Sequence, residues 1–545
     1  MLASPPMRSF SPRLLDLLLL TGLALVARIG AAAAVDYLPY TDPAYYQLVA
    51  SQLAAGHGFS APVLWSFVEV GGRLPIHPML PVPSNGYWMP LTSILAGGSI
   101  SLLGGVLGVA RAAQVPSILL GSALVPFTYQ ISGELWPSRF NAWLAALLVL
   151  LAGPLLIMIP LTDSLATFGT AGAIAVWCAV RATRAARPGW WLVASGCAAA
   201  FATLARVDGL LLLAAPATAW LLGDRWSSGR ARIGWGAAAL AGFGLVLAPW
   251  LIRDFAVFGS PFPSAGGHTL WITSYNEVFS ISHDPSLGSY LDWGAGNIVG
   301  SKLSTWAELA GRTVGLLGGI FVIPFTVGLW RNRRRRDLAP FLAYFAVMFL
   351  AMGAVFTFHA PKGAYYHSAL AWLPFATGLA VASMGTTAEW FGRWWPFLRR
   401  EATHRFLSVA GLAGAAALAL LSAAVLMSGW SDAHAKLALA ADFLVKRGAT
   451  TDRVVSYDPA ALYALSGNPG VAPPFDPFEV IGTVVSAYDI RWVVVTLRPG
   501  ETRDPLGLWD GSAGTDADGK HAAFLAGLPA FEAPGVRVYR VVGSP

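Results

Sequence analysis

YWMPLTSILAGGSISLLGG, residues 87–105, is apolar enough to cross a bilayer, and whether it does so decides the topology of everything after it. Four arginine-bearing loops separate the two readings. Arg181, Arg184 and Arg187 share one, and Arg225, Arg230 and Arg232 a second. RNRRRRD at 331–337 is the densest, and Arg393, Arg399, Arg400 and Arg405 make the last. Short loops rich in arginine stay on the cytoplasmic side. All four fall on the side of the N-terminal residues if the chain spans about eleven times and 87–105 is not a span. Counting it as a span puts the later loops on the wrong side. The stretch is therefore expected to lie on, or dip into, the outer leaflet. Pro90 near its start and the Gly97-Gly98 pair predict an interrupted helix.

Composition agrees with a polytopic α-helical membrane protein. The 545 residues are 55% hydrophobic and 12% charged, roughly half the charged fraction of a soluble chain. Apolar blocks of span length lie near 14–34, 112–131, 141–160, 164–181, 190–206, 209–223, 234–252, 313–330, 339–357, 368–388 and 406–428. The formal net charge of +7 does not point to nucleic acid, because the arginines sit in short loops between these blocks. Cys178 and Cys197 both lie inside apolar segments, as small core residues do, and no zinc or disulfide spacing exists. The first block follows Arg8 and Arg13 and is open to a second reading as a cleaved signal peptide. Either reading leaves Asp36 onward outside the cytoplasm.

Two regions are then extracytoplasmic. One is a long first loop, about 35–111; loops of that length in compact proteins carry function. The other begins near Gly429. KLALAADFLVKRG (436–448) reads as a surface helix, and DRVVSYD (452–458), RWVVVTL (491–497) and GVRVYRVV (535–542) read as strands. We expect a membrane domain over 1–429 and a small α/β domain with a partly parallel sheet over 430–545.

The loops on this outer side carry the chemistry. In TDPAYYQLVASQLAAGHGF (41–59), Pro43 suits a first helical position, and Asp42 the cap before it. Asp163, in IPLTDSLATFG, marks another outer turn and is also open to a capping role. Two carboxylates on one face suit a base and an orienting group, or a divalent cation. LARVDGLLLL (204–213) adds Arg206 and Asp208, and FHAPKGAYYH (358–367) adds His359, Lys362, Tyr365, Tyr366 and His367. PWLIRDFAVFGSPFP (249–263) places Arg253 and Asp254 just outside a span. Mid-span positions carry almost no charge, unlike an ion or proton pathway. Cations at the rim instead suit a lipid phosphate. His57, His77, His268 and His283 have no zinc-binding spacing.

In their order and sidedness these motifs resemble the GT-C glycosyltransferases, especially bacterial relatives of the protein O-mannosyltransferases and of the lipid A aminoarabinose transferase. The acidic motif of the first loop is matched by Asp42, Tyr46, Ala50, Leu53 and Gly56, with Pro43 in place of the usual second acid. NGYWMPL (85–91), LTDSL around Asp163, LARVDGL, PWLIRDFAVFGSPF, VVSYDPAALYALSG (454–467) and YDIRWVVV (488–495) are similar to later family segments. The resemblance implies a sugar donor on a polyprenyl phosphate in the bilayer, which removes the need for a nucleotide-binding domain. It implies Asp42 and Asp163 as the catalytic carboxylates: Asp42 orients and helps deprotonate an acceptor hydroxyl for inverting attack, and Asp163 supports it or binds the acceptor. Arg206, Lys362 and His367 are the implied phosphate holders, and Tyr46, Tyr366 and Trp88 line the substrate. Some relatives use a divalent metal, Mg or Mn, and others none; no metal ligands are assigned. The acceptor is left open between glycan, lipid and protein. The expected location is the plasma (inner) membrane of a bacterium, multi-pass, with the C-terminal domain outside. A transporter or lipid flippase, which would favour repeated halves and broken midplane helices, and a non-catalytic envelope assembly protein are the competing readings.

Overall fold

All eleven apolar blocks are helical in the computed structural model, which describes residues 13–223, 226–263, 269–283, 285–498, 501, 504–510, 522–526 and 528–542. Arg8, Arg225, His268 and Asp284 lie outside them. Among the described residues, six helices are singly long and apolar enough to cross a membrane: Leu14–Ala34, Val109–Leu135, Ser164–Arg184, Pro188–Ala205, Gly229–Phe258 and Glu401–Lys446. A seventh comes from Ala360–Ala382 with Met384–Phe391, bent by 45°. The other four blocks are short or broken, and local sequence says why. The 141–160 block divides into Arg139–Leu150 and Leu155–Met158 around Gly153-Pro154. The 313–330 block breaks between Leu316 and Val322, where Gly318 and Gly319 take φ of +65° and +77°. The 209–223 block opens as a 3₁₀ turn, Val207–Leu213, and Ala339–Ala354 has only 16 residues. The chain is a polytopic α-helical membrane protein with a sheet in its C-terminal part.

The chain forms two compact units. The first comprises 1–34, 114–248 and 301–424; the second comprises 35–113, 249–300 and 425–545. This division differs from the expected boundary at 429. Glu401–Lys446 runs as one helix through Gly429, and the expected surface helix at 436–448 is its end, closed by Gly448 at φ +68°.

In the first unit, small residues let helices approach closely. Ser164–Arg184 packs on Pro188–Ala205 and on Tyr365–Ala382. A Cβ at Gly169 would lie 2.5 Å from the Leu370 Cβ, and one at Gly172 would lie 2.6 Å from that of Ala371. Two buried charges pin the first helix. Asp16 accepts from Arg139 at 2.6 and 2.7 Å and from the Tyr129 hydroxyl at 2.7 Å. Arg28, fully buried, donates to the carbonyls of Leu155 (3.0 Å) and Leu156 (2.8 Å). The Leu155 carbonyl also accepts from the Ile159 N–H at 3.2 Å, but Leu156 faces Pro160, which has no N–H, and an intramembrane guanidinium satisfies its carbonyl.

The second unit holds the strands: β1 Ser60–Ala61, β2 Val63–Leu64, β3 Val82–Pro83, β4 Arg453–Ser456, β5 Gly470–Val471, β6 Ile490–Thr496, β7 Phe531–Ala533 and β8 Val536–Arg540. β1 and β3 pair antiparallel. The other six form one sheet in the order β2-β5-β4-β6-β8-β7. It is parallel from β2 to β6 and antiparallel beyond, with Pro459–Ser466 and Phe478–Ala487 as crossover helices. β2 belongs to the first loop, so that loop is built into the tail's sheet. Leu91–Leu107 is an uninterrupted 17-residue helix, against the expected break at Gly97-Gly98. Gly97 serves packing instead: a Cβ there would sit 3.1 Å from the Ala50 carbonyl oxygen and 3.2 Å from the Leu53 Cβ.

Candidate active site

In the first unit a polar cluster forms where three helices begin or end. Leu161–Thr162 leads into Asp163, which has extended backbone and caps Ser164–Arg184 by accepting from the Ser164 N–H at 2.5 Å. The expected capping role of Asp163 is thus met, on a fully buried side chain. The Ser164 hydroxyl lies 3.3 Å from the same carboxylate oxygen and 3.0 Å from Nδ1 of His367. That imidazole nitrogen is 3.8 Å from Asp163 Oδ1. His367 comes from the first turn of Tyr365–Ala382, and the Gly169–Leu370 contact fixes that helix against the one Asp163 caps.

The next residue extends the network. The Ser368 hydroxyl donates to Asp208, and Arg206 Nε holds the other oxygen of Asp208 at 3.1 Å. The Tyr344 hydroxyl donates to the Ser368 carbonyl at 2.9 Å. Arg206 ends Pro188–Ala205, and Asp208 opens the following 3₁₀ turn. His359 is half-buried near Arg206; desolvation first, then that charge, pushes its pKa down to about 4. Lys362 is exposed in the π-helical turn Ala360–Ala364, and Tyr366 is half-buried just beyond it. Asp163, Arg206, Lys362, Tyr366 and His367 therefore all belong to this unit, and a serine-linked network joins Asp163 to His367 and Arg206 to Ser368. As donors to a divalent cation, Asp163 and His367 supply one carboxylate and one imidazole, half or fewer of the ligands that Mg takes.

Asp42, Tyr46 and Trp88 belong to the second unit. Asp42 is not the helix cap the sequence suggested. The helix begins one residue earlier, at Thr41, with extended Tyr40 before it, so Asp42 lies in the first turn. The Thr41 hydroxyl donates to Asp458 Oδ2 at 3.0 Å, while Asp458 Oδ1 caps Pro459–Ser466 through the Ala461 N–H at 3.0 Å. Trp88 is 6% exposed, with ring centroids 4.3 Å from Tyr45, 5.3 Å from Tyr46 and 5.0 Å from Trp65. Both expected aromatic residues thus pack at tilted or edge-on angles against protein rings. Beside them Asn85, at φ +64°, donates its N–H to the Tyr45 hydroxyl at 2.8 Å. Burial pushes the nearby Glu69 carboxyl up to about 8, against the lowering effect of Tyr45. Arg253 donates to Asp254 (2.9 Å) and to the Ser84 carbonyl (2.8 Å), over the ring of Trp250.

Sequence reading passed over Ser164, Ser368, Glu69 and Arg312. Ser164 and His367 are 203 residues apart, and no local pattern announces their contact. The pairing of a polar residue with each candidate, Asp163-Ser164 and His367-Ser368, was the one available signal.

Residues 110–258 match the family described as dolichyl-phosphate-mannose-protein mannosyltransferase. The structure is similar to ArnT from Cupriavidus metallidurans bound to undecaprenyl phosphate, with TM-score 0.59 and 14% identity, over 97% of this chain and 98% of that one. It is also similar to the archaeal oligosaccharyltransferase AglB from Archaeoglobus fulgidus in complex with an inhibitory peptide and a dolichol-phosphate. There the TM-score is 0.54 at 12% identity, over 88% of this chain and 69% of that one. No curated protein matches the sequence significantly. The chain has the fold of the GT-C superfamily of membrane glycosyltransferases.

Proposed function

We propose that this protein transfers a sugar from a polyprenyl-phosphate donor to an acceptor hydroxyl on the extracytoplasmic face of the bacterial inner membrane, with inversion. The observation that carries the proposal is the buried Asp163–Ser164–His367 array, beside the Arg206–Asp208 pair that Ser368 joins, at the ends of apolar helices. The lipid phosphates bound to ArnT and AglB support the donor class.

The acceptor oxygen attacks the anomeric carbon as the bond from that carbon to the phosphate oxygen breaks. The polyprenyl phosphate leaves with the electron pair, and the hydroxyl proton passes to a base. A carboxylate that accepts from a helix N–H is stabilised in its charged form and is a weak base. Asp163 therefore orients the acceptor, and Asp42, which is not a helix cap, takes the proton. Lys362 and Arg206 stabilise charge as it develops on the phosphate. His367 is 3% exposed and bound to Ser164, so it keeps Asp163 in register.

The test is transfer by the purified protein with a panel of polyprenyl-phosphate sugars, comparing wild type with D42N and D163N, with and without a chelator. Loss of transfer with unchanged thermal unfolding supports the roles given. Wild-type rates in both variants refute them, and loss on chelation alone adds a metal.

A further inference from the structure

Ser301–Leu316, the part of helix Ala295–Leu316 in the first unit, makes a row of side-chain bonds to the segment that ends in Tyr366 and His367. Lys302 donates to the Ala354 carbonyl at 2.6 Å and to the Thr357 hydroxyl at 3.2 Å. Thr305 reaches the Thr357 carbonyl at 3.1 Å, Trp306 the Phe349 carbonyl at 3.2 Å, and Thr313 the Tyr365 hydroxyl at 2.6 Å. The bonds to the Ala354 and Thr357 carbonyls satisfy main-chain groups that the end of Ala339–Ala354 and the turn after it leave without helical partners.

Arg312 does more than its neighbours. Its Nη2 donates to the Pro361 carbonyl at 2.5 Å, next to Lys362. Its guanidinium carbon lies 4.8 Å from the centroid of the Tyr366 ring. Glu308, one turn earlier, holds Nε and Nη2 at 3.1 and 2.6 Å and so sets the plane of the fork. One side chain thus grips both ends of the six-residue stretch from Pro361 to Tyr366, which contains Lys362. That stretch contains Gly363 at φ +121°, a conformation that only glycine adopts readily, so the local backbone does little to define it. Among the described residues, Nη1 of Arg312 donates no hydrogen bond.

We propose that Arg312 is a positioning residue: through the Pro361 carbonyl and the Tyr366 ring it sets Lys362 where the donor phosphate is held. The inference rests on the phosphate-holding role given to Lys362 above. Lysine at 312 has the charge but no planar fork to bond a carbonyl and lie over a ring together. R312M loses a charge-assisted hydrogen bond and a cation–π contact, which predicts a rise in KM for the lipid donor of roughly tenfold or more. The effect on kcat is smaller, and R312K recovers part of the loss.

The experiment measures KM and kcat for a polyprenyl-phosphate sugar in wild type, R312M, R312K, Y366L and R312M/Y366L, with K362M and D163N in parallel and thermal unfolding of each. The expected result is a KM-dominated defect in R312M, partial rescue in R312K, and a double variant less impaired than the product of its singles. If K362M raises KM and R312M leaves it within twofold of wild type, the inference falls alone. If K362M and D163N are both fully active, the site reading falls and takes this with it. Should R312M not fold, R312K and Y366L carry the same comparison, and a shared KM defect with near-normal unfolding supports the role. Wild-type KM in both overturns it.

Discussion

Gly169→Ala adds one methyl group where two helices that carry site residues touch. The new Cβ would lie 2.5 Å from the Cβ of Leu370, and 3.2 and 3.3 Å from its Cδ1 and Cγ. Ordinary contact begins at 3.4 Å, so the nearest pair must separate by 3.4 − 2.5 = 0.9 Å. A Cβ is fixed to the backbone, and no rotamer of Leu370 can relieve the clash. Helix Tyr365–Ala382 must move, and Leu370 is about one turn from His367. If the whole displacement reaches His367, the 3.0 Å contact of its Nδ1 with the Ser164 hydroxyl opens to about 3.9 Å, past hydrogen-bond range. Overpacking of this kind costs about 1–3 kcal/mol, against a helix-propensity gain of about 1 kcal/mol for glycine to alanine. The net loss of stability is therefore modest, about 0–2 kcal/mol. The loss of rate is not: a misplacement near 1 Å costs on the order of a hundredfold. Transfer assayed beside thermal unfolding in detergent separates the two effects. Gly234→Ala is the control, since a Cβ there meets nothing within 4 Å and the residue is inside helix Gly229–Phe258. G169A with a rate within twofold of wild type would refute the argument that this contact sets the site.

Three further outcomes are expected. R28M leaves the Leu156 carbonyl without a donor, at about 1–3 kcal/mol, and takes one of two donors from Leu155, partly offset by removing a buried cation whose Nε has no partner among the described residues; unfolding in detergent should show a net loss of about 1–3 kcal/mol, with R28K in between. E69Q should flatten the dependence of stability on pH. The folded Glu69 pKa of about 8 is above its ordinary 4.5, so its contribution is complete below the lower value and is lost as pH rises toward the higher, by about 1.4 kcal/mol per unit. Unfolding temperatures across that window that fall equally in wild type and E69Q would exclude Glu69 as the cause. T41V removes the donor to Asp458 and should cost about 1 kcal/mol; D458N should cost more, because Asp458 also caps Pro459–Ser466. Urea titration of the purified protein ranks the two.

The sequence revealed a great deal of this fold because bilayer physics writes itself into long apolar runs and short arginine loops. The three strand runs of the tail were equally legible, since valine-rich alternation near 453, 491 and 536 has few other uses. What stayed hidden depended on tertiary neighbours. Gly97 looked like a helix breaker, and only the approach of Ala50 shows it to be a packing glycine. Asp42 looked like a cap, because Asp-Pro usually is one; the helix starts one residue earlier and leaves that role to none of its side chains. The partition into units was hidden for the same reason. Val63-Leu64 is too short to read as a strand, and its partner is about four hundred residues away.

That pairing has a consequence for how the chain matures. As it leaves the ribosome, β2 is made about four hundred residues before the strand it joins, Gly470–Val471. Until then the first loop exposes an unmatched edge, and its final shape waits on that strand. A nascent or shortened polypeptide that stops before residue 470 can insert its helices, yet it lacks the template that completes the Asp42 loop. The ordering of the first loop is thereby tied to a strand more than four hundred residues further along the chain.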